Sequence, residues 1–217
     1  MHLLAICAIN RGVINPFFAR LFCITLVSLF AACSSQPQLS PLAPDATILA
    51  FGDSLTHGSG VSREQSYPTV LARLTGLKVV NAGVPGEVSE AGLKRLPEVL
   101  EEVRPDLLIL CHGGNDMLRK LGMTAAAKHL RSMIRLAQQQ GIPVILVAVP
   151  RPGVFLSEPD FYQEVADEMN IPIEHDVLAD VLSDRSLKSD MIHPNREGYR
   201  MMAEAVFDVM KESGAVE

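Results

Sequence analysis

The stretch Thr47-Ile48-Leu49-Ala50-Phe51-Gly52-Asp53-Ser54-Leu55 decides the fold. Its apolar residues run continuously rather than alternating, then break on a glycine, an acid and a serine. A continuous run marks a strand buried on both faces, as in a parallel sheet covered by helices. Leu77 to Val80, Asp106 to Cys111 and Pro143 to Val149 repeat the pattern, and Ile171 to Ile173 makes a short fifth run. Longer amphipathic segments separate these strands. Ser66 to Leu74 is one, and Ser89 to Val103 is another, which Pro97 is expected to divide by opening its second piece. Thr124 to Gln140 places Ala127, Leu130, Ile134 and Ala137 on one stripe, stopped by Gly141 and Pro143. A last helix after the N-cap Asn195 turns Tyr199, Met202, Val206 and Val209 inward. The alternation predicts βαβ units and an α/β fold, a parallel sheet with helices on both faces.

Working outward, 217 residues suit one domain with a short appendage. Hydrophobic residues make up 48% and charged ones 20%, enough apolar material for a core and too much for a disordered chain. The formal charge is −6, and no stretch clusters Lys and Arg as phosphate neutralisation requires, which excludes a nucleic-acid partner. The first 33 residues contain Arg11 and Arg20 and no acid, so the remainder is more acidic still.

After Arg20 comes the uncharged run Leu21 to Ala32, which has the layout of a signal peptide. At about 1.5 Å per residue it covers roughly 18 Å as a helix, short of the ~30 Å hydrocarbon core, so a permanent span is disfavoured. Its end, Leu29-Phe30-Ala31-Ala32-Cys33, resembles the lipobox of bacterial lipoproteins, which implies acylation of Cys33 and membrane association through that anchor. Phe30 stands where Leu is usual, leaving ordinary cleavage near Ala32 as the alternative. Cys7, Cys23 and Cys33 all fall in this region, so Cys111 is left without a disulfide partner and is expected to pack in the core. The expected organisation is a signal segment over 1–33, a flexible linker rich in Ser, Pro and Gln over 34–45, and a domain over 46–217.

Four blocks follow the strands. Gly52-Asp53-Ser54-Leu55 puts a serine on the turn leaving a buried strand, where ligands of open α/β sheets bind. Alone it is no more than a common turn. Asn81-Ala82-Gly83-Val84-Pro85-Gly86 is a glycine loop able to aim a backbone N–H at negative charge. Gly113-Gly114-Asn115-Asp116 brings a side-chain amide into a crowded turn. Asp190-Met191-Ile192-His193-Pro194-Asn195 spaces a carboxylate and an imidazole so that Asp190 can orient His193.

Taken together and in this order, the four blocks resemble the SGNH (GDSL) hydrolases over nearly all of residues 46 to 217. NAGVPGEVSEAGLKRLP, HGGNDMLRK and DMIHPNREG are most similar to the bacterial periplasmic thioesterase/lysophospholipase/arylesterase branch. The resemblance implies a flavodoxin-like three-layer α/β/α sandwich with a five-stranded sheet in the order 2-1-3-4-5. It implies Ser54 as nucleophile, Asp190 and His193 as the rest of a triad, and Gly86 and Asn115 as oxyanion-hole donors. No cofactor or metal is implied. The expected partner is a small ester or acyl substrate, the expected assembly a monomer, and the expected place the periplasmic side of an exporting cell.

The chemistry agrees with these roles. A serine hydroxyl needs a general base, and the tetrahedral oxyanion needs donors. The α/β-hydrolase elbow G-x-S-x-G does not fit, since Thr56 stands where its second glycine belongs. His57 is close to Ser54 but lacks an orienting carboxylate. Cys111 and His112 make no complete ligand set and are read as packing or substrate contacts, while His129 and His175 are read as surface residues. Removal of O-acetyl groups from carbohydrate or cell-wall glycan is the alternative activity. A surface lipoprotein that has lost catalysis is the reading outside enzymes, and all five site residues being present argues against it.

Overall fold

Parallel strands need long crossovers, and the amphipathic segments supply them. The computed structural model describes residues 36–153 and 159–217. The expected signal segment 1–33, with Cys33, lies outside the described residues, as do residues 154–158 of the loop from Arg151 to Pro159.

The first half of the domain runs β1 (Thr47–Gly52), α1 (Ser54–His57), α2 (Tyr67–Thr75), β2 (Lys78–Gly83), α3 (Ser89–Val103) and β3 (Leu107–Cys111). The second runs α4 (Gly114–Leu118), α5 (Met123–Gln139), β4 (Val144–Val147), α6 (Phe161–Met169), β5 (Ile173–Glu174), α7 (Val177–Ser183) and α8 (Arg196–Glu212). The strands are all parallel and lie in the order β2-β1-β3-β4-β5, as expected. α2 and α7 pack on α8 in one layer, and α3 and α6 pack on α5 in the other. Leu107 to Cys111 and Val144 to Val147 are wholly buried, which explains their unbroken apolar sequence. The inner stripes of α5 and α8 are the expected ones.

Three features differ from expectation. β2 continues to Gly83 because Asn81, Ala82 and Gly83 pair with Ala50, Phe51 and Gly52, although their small or polar side chains do not read as a strand. α3 is unbroken through Pro97, which is exposed, so the turn lacking its N–H lies on the solvent side. The expected linker is largely docked. Leu39 N–H donates to Ser213 O (2.7 Å), Leu42 N–H to Ala215 O (2.9 Å), and Gln36 exchanges side-chain bonds with the Ile173 backbone. A segment without periodicity still carries backbone donors, and the carbonyls at the end of α8 need them.

β1 and β3 approach closely at their carboxyl ends. A Cβ on Gly52 would lie 2.1 Å from the Cys111 carbonyl oxygen and 2.4 Å from Thr56 Oγ1. Gly52→Ala is therefore expected to lower stability by about 1–3 kcal/mol, read as a reduced urea midpoint. An unchanged midpoint would contradict the close approach.

Candidate active site

Ser54 opens α1, a helix of one turn that needs outside support. Asp53 supplies it by accepting the Leu55 N–H on Oδ1 (3.0 Å), and Gly58, with φ of 92°, ends the turn. The opposite partner is the turn before α8. There Asp190 Oδ1 accepts the N–H groups of Ile192 (2.8 Å) and His193 (2.9 Å), and Ser189 N–H donates to His193 O (3.0 Å). Asn195 closes the segment by capping Glu197 and Gly198 N–H while its own amide donates to Ser186 O. Tyr199 O–H donates to Ser59 O (3.0 Å), tying α8 to the chain leaving α1.

The two segments meet in one line. His193 Nδ1 is 2.7 Å from Asp190 Oδ2, and His193 Nε2 is 3.0 Å from Ser54 Oγ. Burial works against the Asp190 charge, but the bonds from the His193 ring and the two backbone N–H groups outweigh it and lower its pKa. An ionised Asp190 accepts from Nδ1–H, which leaves Nε2 as the acceptor facing the Ser54 hydroxyl. This is the arrangement of a nucleophile, a base and an orienting carboxylate. His57 is exposed and Ser54 faces His193 instead.

Ser54 and Asn115 line the same cavity of about 830 Å³, together with Leu55, Leu118 and Val149. The Asn115 amide donates to Asp53 Oδ2 (2.9 Å) and to the Glu87 carbonyl (3.1 Å), so both hydrogens are engaged in this state. Gly86 is not itself among the residues lining that cavity, but its neighbour Glu87 meets one of them by accepting the Asn115 amide on its carbonyl. Gly86 holds the third position of a turn from Val84 to Glu87, with Pro85 before it and φ of 77°, the pattern of a type II turn. Among the described residues no acceptor takes the Gly86 N–H.

Sequence reasoning missed the carboxylates that hold this site. Asp53 is buried, which raises its pKa against the opposing effect of His112 and of its bonds to Leu55 and Asn115. Asp116 accepts Ser89 N–H on Oδ2 (2.8 Å) and Ser89 Oγ–H on Oδ1 (2.6 Å), capping α3 where Val88 has no side-chain bond to offer. His129, read as a surface residue, is half-buried, with Nδ1 2.8 Å from Ser89 Oγ. His175 is half-exposed beside Asp176. Cys111 is a core residue as expected, and burial pushes its thiol well up, which keeps it protonated.

His112 is wholly buried and touches no substrate space, so only the packing half of its expected role applies. Its Nδ1 accepts Gly113 N–H, so its Nε2–H points to Glu87 Oε2 (3.2 Å). Gly92 leaves room for the ring, since a Cβ there would lie 2.4 Å from Nε2. Arg95 completes the clamp with two bonds to the Glu87 carboxylate (2.7 and 2.9 Å), one to Ala82 O (3.0 Å), and its guanidinium 4.1 Å from the Phe51 ring centre. Burial opposes the Glu87 charge, yet the bonds from His112 and Arg95 hold its pKa down to about 2.

The sign of the resulting pH dependence follows from that depressed value. The clamp contributes fully above the ordinary 4.5 and is lost as pH falls toward about 2. Glu87→Gln is expected to cost about 1–3 kcal/mol at pH 7, with the gap in urea midpoint to the parent chain narrowing below about pH 4.5. A gap that stays constant down to pH 3 would contradict the ionic clamp.

Residues 50–201 match the model of the GDSL-like Lipase/Acylhydrolase family. Esterase TesA of Pseudomonas aeruginosa is 32% identical over 129 residues, 57% of this chain and 64% of that relative, so the chain spans just under two thirds of its length. An arylesterase of Vibrio mimicus is 28% identical over 189 residues, covering 82% of this chain and 92% of the relative. A crystal structure of TesA superposes with a TM-score of 0.70 at 28% identity, covering 76% of this chain and 98% of the other. With its sheet order, its serine-histidine-aspartate line and this match over most of the domain, the chain belongs to the GDSL-like lipase/acylhydrolase family and is a hydrolase of carboxylic esters.

Proposed function

We propose that this serine esterase works through an acyl-enzyme on Ser54, and the observation that carries the reading is the 3.0 Å contact between Ser54 Oγ and His193 Nε2. In the first half-reaction Oγ attacks the ester carbonyl carbon as His193 takes its proton. Asp190 holds the ring and stabilises the imidazolium. The proton then passes to the departing alcohol or thiol, leaving the acyl group on Oγ. Water then attacks the acyl carbon as His193 takes its proton; the bond from that carbon to Oγ breaks, His193 returns the proton to Ser54 Oγ, and the acid leaves.

The oxyanion is held by the Ser54 N–H at the start of α1 and the free N–H of Gly86. Asn115 Nδ2 joins them when the oxyanion displaces the Glu87 carbonyl, the longer of its two bonds. Aryl esters, lysophospholipids and acyl thioesters are the substrate types in view. Leu55, Leu118, Val149, Pro150, Met191 and Ile192 along the cavity support an acyl or aryl group there.

The same reading has the chain exported under segment 1–33 and anchored through an acylated Cys33. Arg11 and Arg20 before an uncharged apolar run, ending in Leu29 to Cys33, support it.

Ser54→Ala is expected to lower kcat on p-nitrophenyl butyrate by a factor on the order of 10⁴ or more. Asn115→Ala should lower kcat by about 10²–10³ with little change in KM. Parent-level turnover by Ser54→Ala would overturn the acyl-enzyme. For the anchor, cells fed a labelled palmitate analogue should label the full chain but not Cys33→Ser, and an unlabelled parent chain would refute acylation.

A further inference from the structure

The lining of the cavity beside Ser54 is of two unlike kinds. Leu118, Val149, Pro150, Met191 and Ile192 form the apolar one, and Met191 is 89% exposed at its rim. The other is the segment after α7, a short 3₁₀ turn over Arg185–Leu187 running on to Asp190, which brings Arg185 and Lys188 to the same cavity. Among the described residues neither cation has a carboxylate within salt-bridge distance, unlike Arg95, Arg131 and Arg200 elsewhere. Lys188 Nζ donates to Leu182 O (2.7 Å), which fixes the ammonium in the wall and leaves its other hydrogens free.

The acids nearby are already satisfied. Asp53 takes the Leu55 N–H and the Asn115 amide, Asp190 takes two N–H groups and the His193 ring, and Asp184 turns to Ser186. A chain of formal charge −6 thus turns a cationic wall toward its reacting serine.

We propose that this wall is an anion subsite, with Arg185 as its main specificity determinant, and that preferred esters carry a carboxylate or phosphate on one side of the scissile bond and an apolar group on the other. The inference rests on Ser54 being the nucleophile. An anion entering the cavity meets two cations that form no salt bridge among the described residues, while its apolar portion covers Leu118, Met191 and Ile192.

The test uses the full chain and two matched pairs of substrates. Mono-p-nitrophenyl adipate against p-nitrophenyl hexanoate places the charge on the acyl side. The 4-carboxyphenyl against the 4-carbamoylphenyl ester of hexanoic acid places it on the leaving group. For one of the pairs, the charged-to-neutral ratio of kcat/KM should drop roughly fivefold in Arg185→Gln and further in Arg185→Glu, mainly through KM. Because Arg185 is exposed, neither change threatens the fold. Ratios that stay constant in both pairs across the three proteins would overturn the subsite while leaving the esterase reading standing. A parent chain that hydrolyses neither member of either pair would instead overturn the esterase reading and the subsite with it.

Discussion

The register of β1 between β2 and β3 is the constraint on which the rest of the site depends. Gly52 lies opposite both Gly83 and Cys111, so the three strands end level and release their chains into one crevice. Ser54 leaves β1 there, the Gly86 turn leaves β2, and Asn115 leaves β3. The sheet order reverses about β1, which opens the crevice that ligands of such sheets occupy. Only glycine fits at position 52, because the Cys111 carbonyl and the Thr56 hydroxyl fill the space where a side chain would begin. The geometry that brings the chemistry together is thus a packing property of three strands before it is a property of any reacting group.

Short elements carry the reacting groups, and buried carboxylates hold them. α1 and α4 are single turns that would not persist alone. Asp53 spans the gap between them, one oxygen on the Leu55 N–H and the other on the Asn115 amide. Asp116 ties α4 to the start of α3, and Glu87 is clamped between Arg95 and His112 beneath the loop that bears Gly86. Each acid has donors for its charge, as burial demands. Glu174 differs: Oε1 accepts the Asp176 and Val177 N–H groups at the start of α7, Oε2 has no partner among the described residues, and burial raises its pKa.

Much of this was legible in the chain because the informative signals are local. Continuous apolar runs mark β1, β3 and β4, and the Asn195 cap and the stripe from Tyr199 to Val209 mark α8. Asp190 and His193 sit three residues apart on one turn, and the blocks at the strand ends name Ser54 and Asn115. What escaped notice is set by distant contacts. Nothing around Glu87 announces His112 as its partner, because that pairing exists only once Gly92 on α3 lies against the His112 ring. The docking of Gln36 to Leu42 depends on carbonyls near the far end of the chain. Pro97 misleads because its effect on a helix depends on which side faces water, and Asn81 to Gly83 mislead because pairing with β1, not side-chain character, makes them a strand.

The central claim is that Ser54, activated by His193, is the group that takes the acyl chain. The reaction leaves a covalent mark that can be trapped: a fluorophosphonate probe reacts with an activated serine and stays on it, and peptide mass analysis then locates the label. The account predicts one label per chain, on the peptide bearing Ser54, and strongly reduced labelling in His193→Ala. Labelling confined to another residue, or labelling of Ser54 that does not depend on His193, would contradict it.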